Sequence, residues 1–192
     1  MNKGRLEAFS DGVIAILITI MVLELQAPHA ASRAALRPLV PAFLSYLLSF
    51  VFIAIYWNNH HHMLQASHQV DGRVLWANML LLLWLSLVPF VTAWMGHTRF
   101  APLPVAAYGF VLLMCGLSYF VLSRMLIAVN GRDSALAKAL GQDRKAIASL
   151  VAYTAAIPIA FLDPRLSGAL YVLVAVIWFV PDRRIERTLA AK

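Results

Sequence analysis

Six long stretches of this chain are apolar and almost free of charge: Phe9–Gln26, Pro38–Trp57, Val74–Met95, Ala101–Ser123, Ala146–Leu162 and Leu166–Pro181. A bilayer core about 30 Å thick takes roughly 20 helical residues per crossing. Each stretch therefore reads as a membrane span, the last two being short. Continuous apolarity, without a ten-residue alternation of polar and apolar positions, points to helices rather than barrel strands. Pro89 and Pro158 fall inside spans, where neighbouring helices can satisfy the freed carbonyls. Composition agrees: 61% of the 192 residues are apolar, 13% are charged and the mean hydropathy is +0.75, against about 25% charged in soluble domains. So few charges exclude a disordered chain and an ordinary cytosolic enzyme. A lone cysteine, Cys115, rules out a disulfide within the chain.

The basic residues set an orientation. With the N-terminus inside, twelve of the 16 Lys and Arg lie on the inner side, among them Lys3, Arg5, Arg73, Arg124, Arg132, Lys138, Arg183, Arg184, Arg187 and Lys192. Arg33, Arg37, Arg99 and Arg165 lie outside. This bias predicts both termini in the cytoplasm and an even number of spans. The expected fold is an all-α membrane protein in one domain, 1–192, with spans near 5–27, 38–60, 72–96, 101–124, 144–162 and 165–181. The polar stretch Arg124–Lys145 reads as an inner loop or a short surface helix. The first span lacks a small-x-small cleavage site and carries acids at both ends, so it reads as mature structure rather than a signal peptide.

That first span is the unusual one. Its uninterrupted apolar core, Gly12–Leu23, covers only about 18 Å at 1.5 Å per residue. The helix must therefore carry Phe9, Ser10, Asp11 and Glu24 into or close to the membrane. A carboxylate there costs a few kcal/mol unless it is paired or faces water. Candidate partners for Asp11 are Arg5, the polar run Asn58-Asn59-His60-His61-His62, and Asn78 and Trp84 of the third span. Ser10 and Asp11 equally suit a helix cap. At 100° per residue Ile16, Ile20 and Leu23 share one side with Thr19, and Gly12 lies a turn earlier. Such a stripe suits a narrow apolar constriction, and it suits packing or lipid contact as well.

Arg5-Leu6-Glu7-Ala8-Phe9-Ser10-Asp11 matches the RxxxFSD signature of the TMEM175 family of potassium channels, and the continuation through Leu25 resembles a prokaryotic member. Tyr56-Trp57-Asn58-Asn59-His60-His61 and the segment from Asn78 to Phe90 extend the similarity, which covers about half of the chain. The resemblance implies a homotetramer of six-helix subunits around a central pore lined by the first helix. It also implies a leak-type channel that prefers potassium and lacks the TVGYG filter, a motif absent from this sequence. Carried over by position, Ile16, Ile20 and Leu23 are constriction residues and Thr19 is the residue of potassium preference. Arg5, Phe9, Ser10 and Asp11 are the signature, with His60 or His61, Asn78 and Trp84 as its interhelical partners. Three consecutive histidines leave open which of them makes that contact. Potassium is the permeant ion; no cofactor, resident metal or nucleic acid is expected. The expected location is the cell membrane.

Two other classes compete. A histidine-dependent metal enzyme would use His60-His61-His62, but consecutive helical residues point about 100° apart and cannot share one ion; His61, Gln65 and His68 share a face better. A secondary transporter would show inverted repeats with matched Gly/Pro breaks in its two halves, and the sequence has none. The basic segments mix with acids and lack stacking aromatics, which fits topology and anionic lipid rather than nucleic acid.

Overall fold

The computed structural model describes residues 2–28, 30–131, 133–134, 136–137 and 144–179. Among them every regular element is helical: α1 (Lys3–Leu23), α2 (Arg33–Leu36), a 3-10 turn (Arg37–Leu39), α3 (Val40–Gln65), α4 (Gly72–Ser86), α5 (Val88–His97), α6 (Pro102–Asn130), α7 (Arg144–Ile159) and α8 (Pro164–Phe179). Four stretches, Lys3–Leu23, Arg33–Gln65, Gly72–His97 and Pro102–Asn130, are long and apolar enough to cross a membrane, and Pro164–Phe179 is a shorter apolar helix. The chain is a multi-pass membrane protein. Arg132, Lys138, Pro181, Arg183, Arg184, Arg187 and Lys192, which entered the topology above, lie outside the described residues.

Helix ends follow local chemistry more than the edges of apolar runs. α1 starts where the Asn2 side chain accepts from Gly4 N–H at 3.0 Å, an N-cap. It stops at Leu23, short of the end of its run, with Glu24 as C-cap. α3 runs on to Gln65, so the histidine triplet lies within its last two turns. The third run is split at Leu87 into α4 and α5, because Pro89 has no N–H to donate and falls in the first turn of α5. α6 continues to Asn130, so the stretch after Arg124 begins as membrane helix and ends at Gly131, whose φ of +92° favours glycine. Asn130 then clamps the α3–α4 connection. Its Oδ1 accepts from the N–H groups of His68 (2.7 Å) and Gln69 (2.9 Å).

α6 is the hub, packing on α4, α5, α7 and α8, whereas α1 lies against α3, α4 and α5. Along α6, Leu112, Cys115, Leu122 and Leu126 are fully buried. Close contact depends on small residues, as expected where lipid removes the hydrophobic drive between helices. A Cβ on Gly96 would lie 2.8 Å from Ala42 Cα, so α5 and α3 meet almost backbone to backbone. A Cβ on Gly109 would overlap the Tyr171 hydroxyl, which donates to Val105 O at 3.0 Å. Between these contacts runs a buried chain of hydroxyls. Thr92 Oγ1 donates to Val88 O (2.6 Å), so Ser49 Oγ donates to Thr92 (2.6 Å) and in turn accepts from Tyr108 OH (3.0 Å). Each proton points toward a carbonyl that ends the chain, which leaves no donor bare in hydrocarbon.

Gly96→Ala should lower stability by about 1–3 kcal/mol, the usual cost of overpacking a closed contact. Gly168→Ala should be neutral or slightly stabilising, since nothing lies within 4 Å of a Cβ there. Thermal unfolding of the purified variants in detergent checks the pair.

Candidate functional site

The two sides of α1 differ in what they meet. Leu6, Ser10, Ile14, Leu17 and Met21, at spacings of three and four, are buried in the subunit. Arg5, Phe9, Gly12, Ile16, Thr19, Ile20 and Leu23 are on the opposite side and exposed, Ile16 at 57% and Leu23 at 77% of full accessibility. The 21-residue helix is about 31 Å long at 1.5 Å per residue, so its polar first half falls within membrane depth. Two sets of contacts satisfy that half.

One set is buried. Asn78 of α4 stands between α1 and α3: its Nδ2 donates to Ser10 Oγ at 2.9 Å, and its Oδ1 lies 2.8 Å from His60 Nε2. Because Oδ1 only accepts, His60 carries its proton on Nε2. Ser10 Oγ donates onward to Leu6 O at 2.9 Å. The order His60, Asn78, Ser10, Leu6 carbonyl is thus fixed, and Ser10, His60 and Asn78 are all fully buried. With its three bonds made, this buried relay stiffens what it joins, here three helices, while His60 Nδ1 has no partner among the described residues.

The other set lines the antiparallel seam between α1 and α3. Lys3, Glu7 and Asp11 are four residues apart and so share one face. Lys3 Nζ donates to the carbonyls of Leu64 (3.1 Å) and Ser67 (3.0 Å) at the C-terminal end of α3, where a cation is favoured. Glu7 Oε1 lies 3.3 Å from His61 Nδ1, an ion pair when the ring is protonated. Asp11 Oδ1 accepts from Trp57 Nε1 at 2.9 Å. Trp57 and His61, also four apart, stack with ring centres 5.6 Å apart.

Of the residues singled out by sequence, the structure brings Ser10, His60 and Asn78 together, and joins His61 and Asp11 to partners the sequence reading missed, Glu7 and Trp57. The signal was the 3-7-11 spacing of charges on a helix with nowhere else to hide them. Arg5 and Phe9 are on the exposed face, away from Asp11's partner. Trp84 is not brought to the signature. Its ring meets Phe110 of α6 edge-on at 5.8 Å, and its Nε1 is buried with no partner among the described residues. The three histidines diverge, toward Asn78, toward Glu7, and, for His62, edge-on against His61. Among the described residues no group of three or more His, Cys, Asp or Glu side chains is arranged to hold a metal ion. Thr19 Oγ1 donates back to Ile16 O at 2.8 Å, which leaves its oxygen lone pairs on the exposed face.

Asn78→Leu keeps the volume but strips Ser10 and His60 of their partner. It should cost about 1–2 kcal/mol, read as a lower midpoint in graded SDS unfolding, with Ser86→Ala on the exposed surface of α4 as the neutral control.

The family described as "Endosomal/lysosomal potassium channel TMEM175" matches residues 5–89. A potassium channel of a Chryseobacterium species is 49% identical over 189 residues, covering 98% of each chain. A potassium channel of Streptomyces collinus is 32% identical over 189 residues, covering 92% of this chain and 91% of that one. A crystal structure of a lysosomal potassium-selective channel TMEM175 homolog from Chamaesiphon minutus superposes with a TM-score of 0.81 at 28% identity, over 94% of this chain and 97% of that one. The chain belongs to the TMEM175 family.

Proposed function

We propose that this chain is one subunit of a homotetrameric, potassium-preferring leak channel of the cell membrane, with α1 of each copy lining the central pathway. The observation that carries the reading is the face of α1 turned away from the bundle that holds it: Ile16, Thr19, Ile20 and Leu23 are exposed while the opposite side is locked down. The Chryseobacterium and Streptomyces relatives bear the name potassium channel, and the Chamaesiphon homolog is described as potassium-selective.

Two more exposed apolar faces flank α1. Phe43, Leu47 and Phe50 lie on α3, and Leu80, Leu83, Leu87 and Phe90 lie on α4 and α5. In a closed ring the α3 face of one copy meets the α4–α5 face of the next, a head-to-tail contact that completes itself by rotation. Four copies of α1 then surround the axis. Rings of Ile16, Ile20 and Leu23 form an apolar neck that gates by dewetting. Thr19, its proton committed to Ile16 O, offers lone pairs to a partly dehydrated cation. Glu24 at the outer mouth attracts cations. The signature residues Ser10 and Asp11, through Asn78, His60 and Trp57, hold each pore helix at a fixed rotation about its own axis. Arg5 and Phe9 face neighbouring copies or the inner mouth. Lys3 and Arg5 belong to the basic, cytoplasmic side, which puts both termini inside. No cofactor enters this reading; potassium passes and is not retained.

Potassium flux from liposomes tests it. Ile16→Asn should raise flux several-fold by wetting the neck, and Thr19→Val should reduce the preference for potassium over sodium several-fold. Unchanged flux in Ile16→Asn together with unchanged ion preference in Thr19→Val, or native transport that saturates and runs uphill, would contradict the reading.

A further inference from the structure

Away from α1 the subunit encloses a cavity between α3, α6, α7 and α8. About 40 Å³ of it is open to the centre of a water-sized sphere, roughly three times what a single water needs. Five of its walls are aromatic: Phe52, Tyr56, Tyr119, Tyr153 and Trp178. The remaining lining residues include Asn59, Gly116, Ala146 and Ser149, and none of the described lining residues is charged.

The walls are braced so that the space does not collapse. Phe52 meets Tyr153 edge-on at 6.3 Å, and Tyr56 meets Tyr119 edge-on at 6.3 Å. Trp178 Nε1 donates to Ser149 Oγ at 2.8 Å, and Ser149 donates on to Lys145 O at 2.8 Å, which fixes the indole as one side. Gly116 leaves room opposite: a Cβ there would lie 3.0 Å from Leu150 Cδ2 and 3.8 Å from the Tyr56 hydroxyl. Two polar atoms are left over. The hydroxyls of Tyr56 and Tyr153 line the cavity without a hydrogen-bond partner among the described residues, although Tyr153 is only 3% exposed. Elsewhere in this subunit buried hydroxyls are paired, as in the Tyr108–Ser49–Thr92 chain. Both oxygens open onto the cavity, so a polar atom of an occupant placed there would meet them.

We propose that this cavity binds a small, neutral, planar aromatic molecule with a single hydrogen-bonding group, its ring against the aromatic walls and its polar atom on Tyr56 and Tyr153. Among the described residues the lining carries no carboxylate or basic group, which favours a neutral ligand. Tyr56 and Asn59 each precede a residue that holds α1, Trp57 and His60, so an occupant acts on the segment of α3 that carries the tether. That second part rests on the channel reading above; binding does not.

Calorimetric titration of the full-length protein in detergent with p-cresol and with toluene separates the possibilities. The native chain should bind p-cresol saturably, at least tenfold more tightly than toluene. Ala146→Phe, which fills the space, should abolish both. Tyr56→Phe with Tyr153→Phe, which preserves the shape, should weaken p-cresol about tenfold and leave toluene unchanged. Uptake that never saturates, equal affinity for the two probes, tighter binding of tetramethylammonium, or p-cresol affinity unchanged in the double Tyr→Phe variant would overturn the site. In liposomes, saturating p-cresol should change native potassium flux at least twofold and spare the Ala146→Phe variant. Saturable binding with native flux unaffected would overturn the link to α1 while the site stands.

Discussion

A helix whose first three turns carry Lys3, Glu7, Ser10 and Asp11 cannot enter a bilayer unless every one of those groups is answered from inside the protein. That requirement organises the subunit. Asn78 comes from α4 and His60 from α3 to close the buried relay, while the C-terminal carbonyls of α3, His61 and Trp57 close the seam. Because these contacts fall on three neighbouring directions of one helix, they fix its position and also its rotation. The face left over is then a consequence: with Ser10, Ile14, Leu17 and Met21 turned inward, Ile16, Thr19 and Leu23 have to face out.

The same device recurs in the core. Tyr108, Ser49 and Thr92 pass their protons toward the Val88 carbonyl as His60, Asn78 and Ser10 pass theirs toward Leu6. Each relay ends on a backbone oxygen one turn back in its own helix, an acceptor with a spare lone pair. Side-chain donors are thereby satisfied in hydrocarbon without a charge. The close contact at Gly96 brings α5 against α3, the pair of helices that the Ser49–Thr92 bond joins.

Much of this was legible in the sequence, for identifiable reasons. Apolar runs announce helices because lipid permits little else, and the family resemblance pointed to Ser10 and Asp11 in its signature and to Asn78 as a partner. Helix ends were less legible: the apolar run past Leu23 and the charged residue at Arg124 are poor guides, because hydropathy records where a chain is comfortable and not where its backbone turns. Lys3, Glu7 and Trp57 were missed although the spacing of charges was visible, since a partner across a seam depends on the register of two helices. Trp84 shows the converse. Its place in the chain is near the signature, but the rotation of α4 points it to Phe110 of α6. The aromatic cavity draws on four helices and has no linear trace at all.

Aqueous thiol labelling of single cysteines placed along α1 in the membrane-embedded protein, with Cys115 replaced by alanine, tests the central claim most directly. If the tether fixes the rotation as described and the free face meets water, then Thr19→Cys and Leu23→Cys react with a water-soluble methanethiosulfonate, and Ile14→Cys, Leu17→Cys and Met21→Cys stay protected. Reaction on the Ile14 side, or protection at both Thr19 and Leu23, would contradict it.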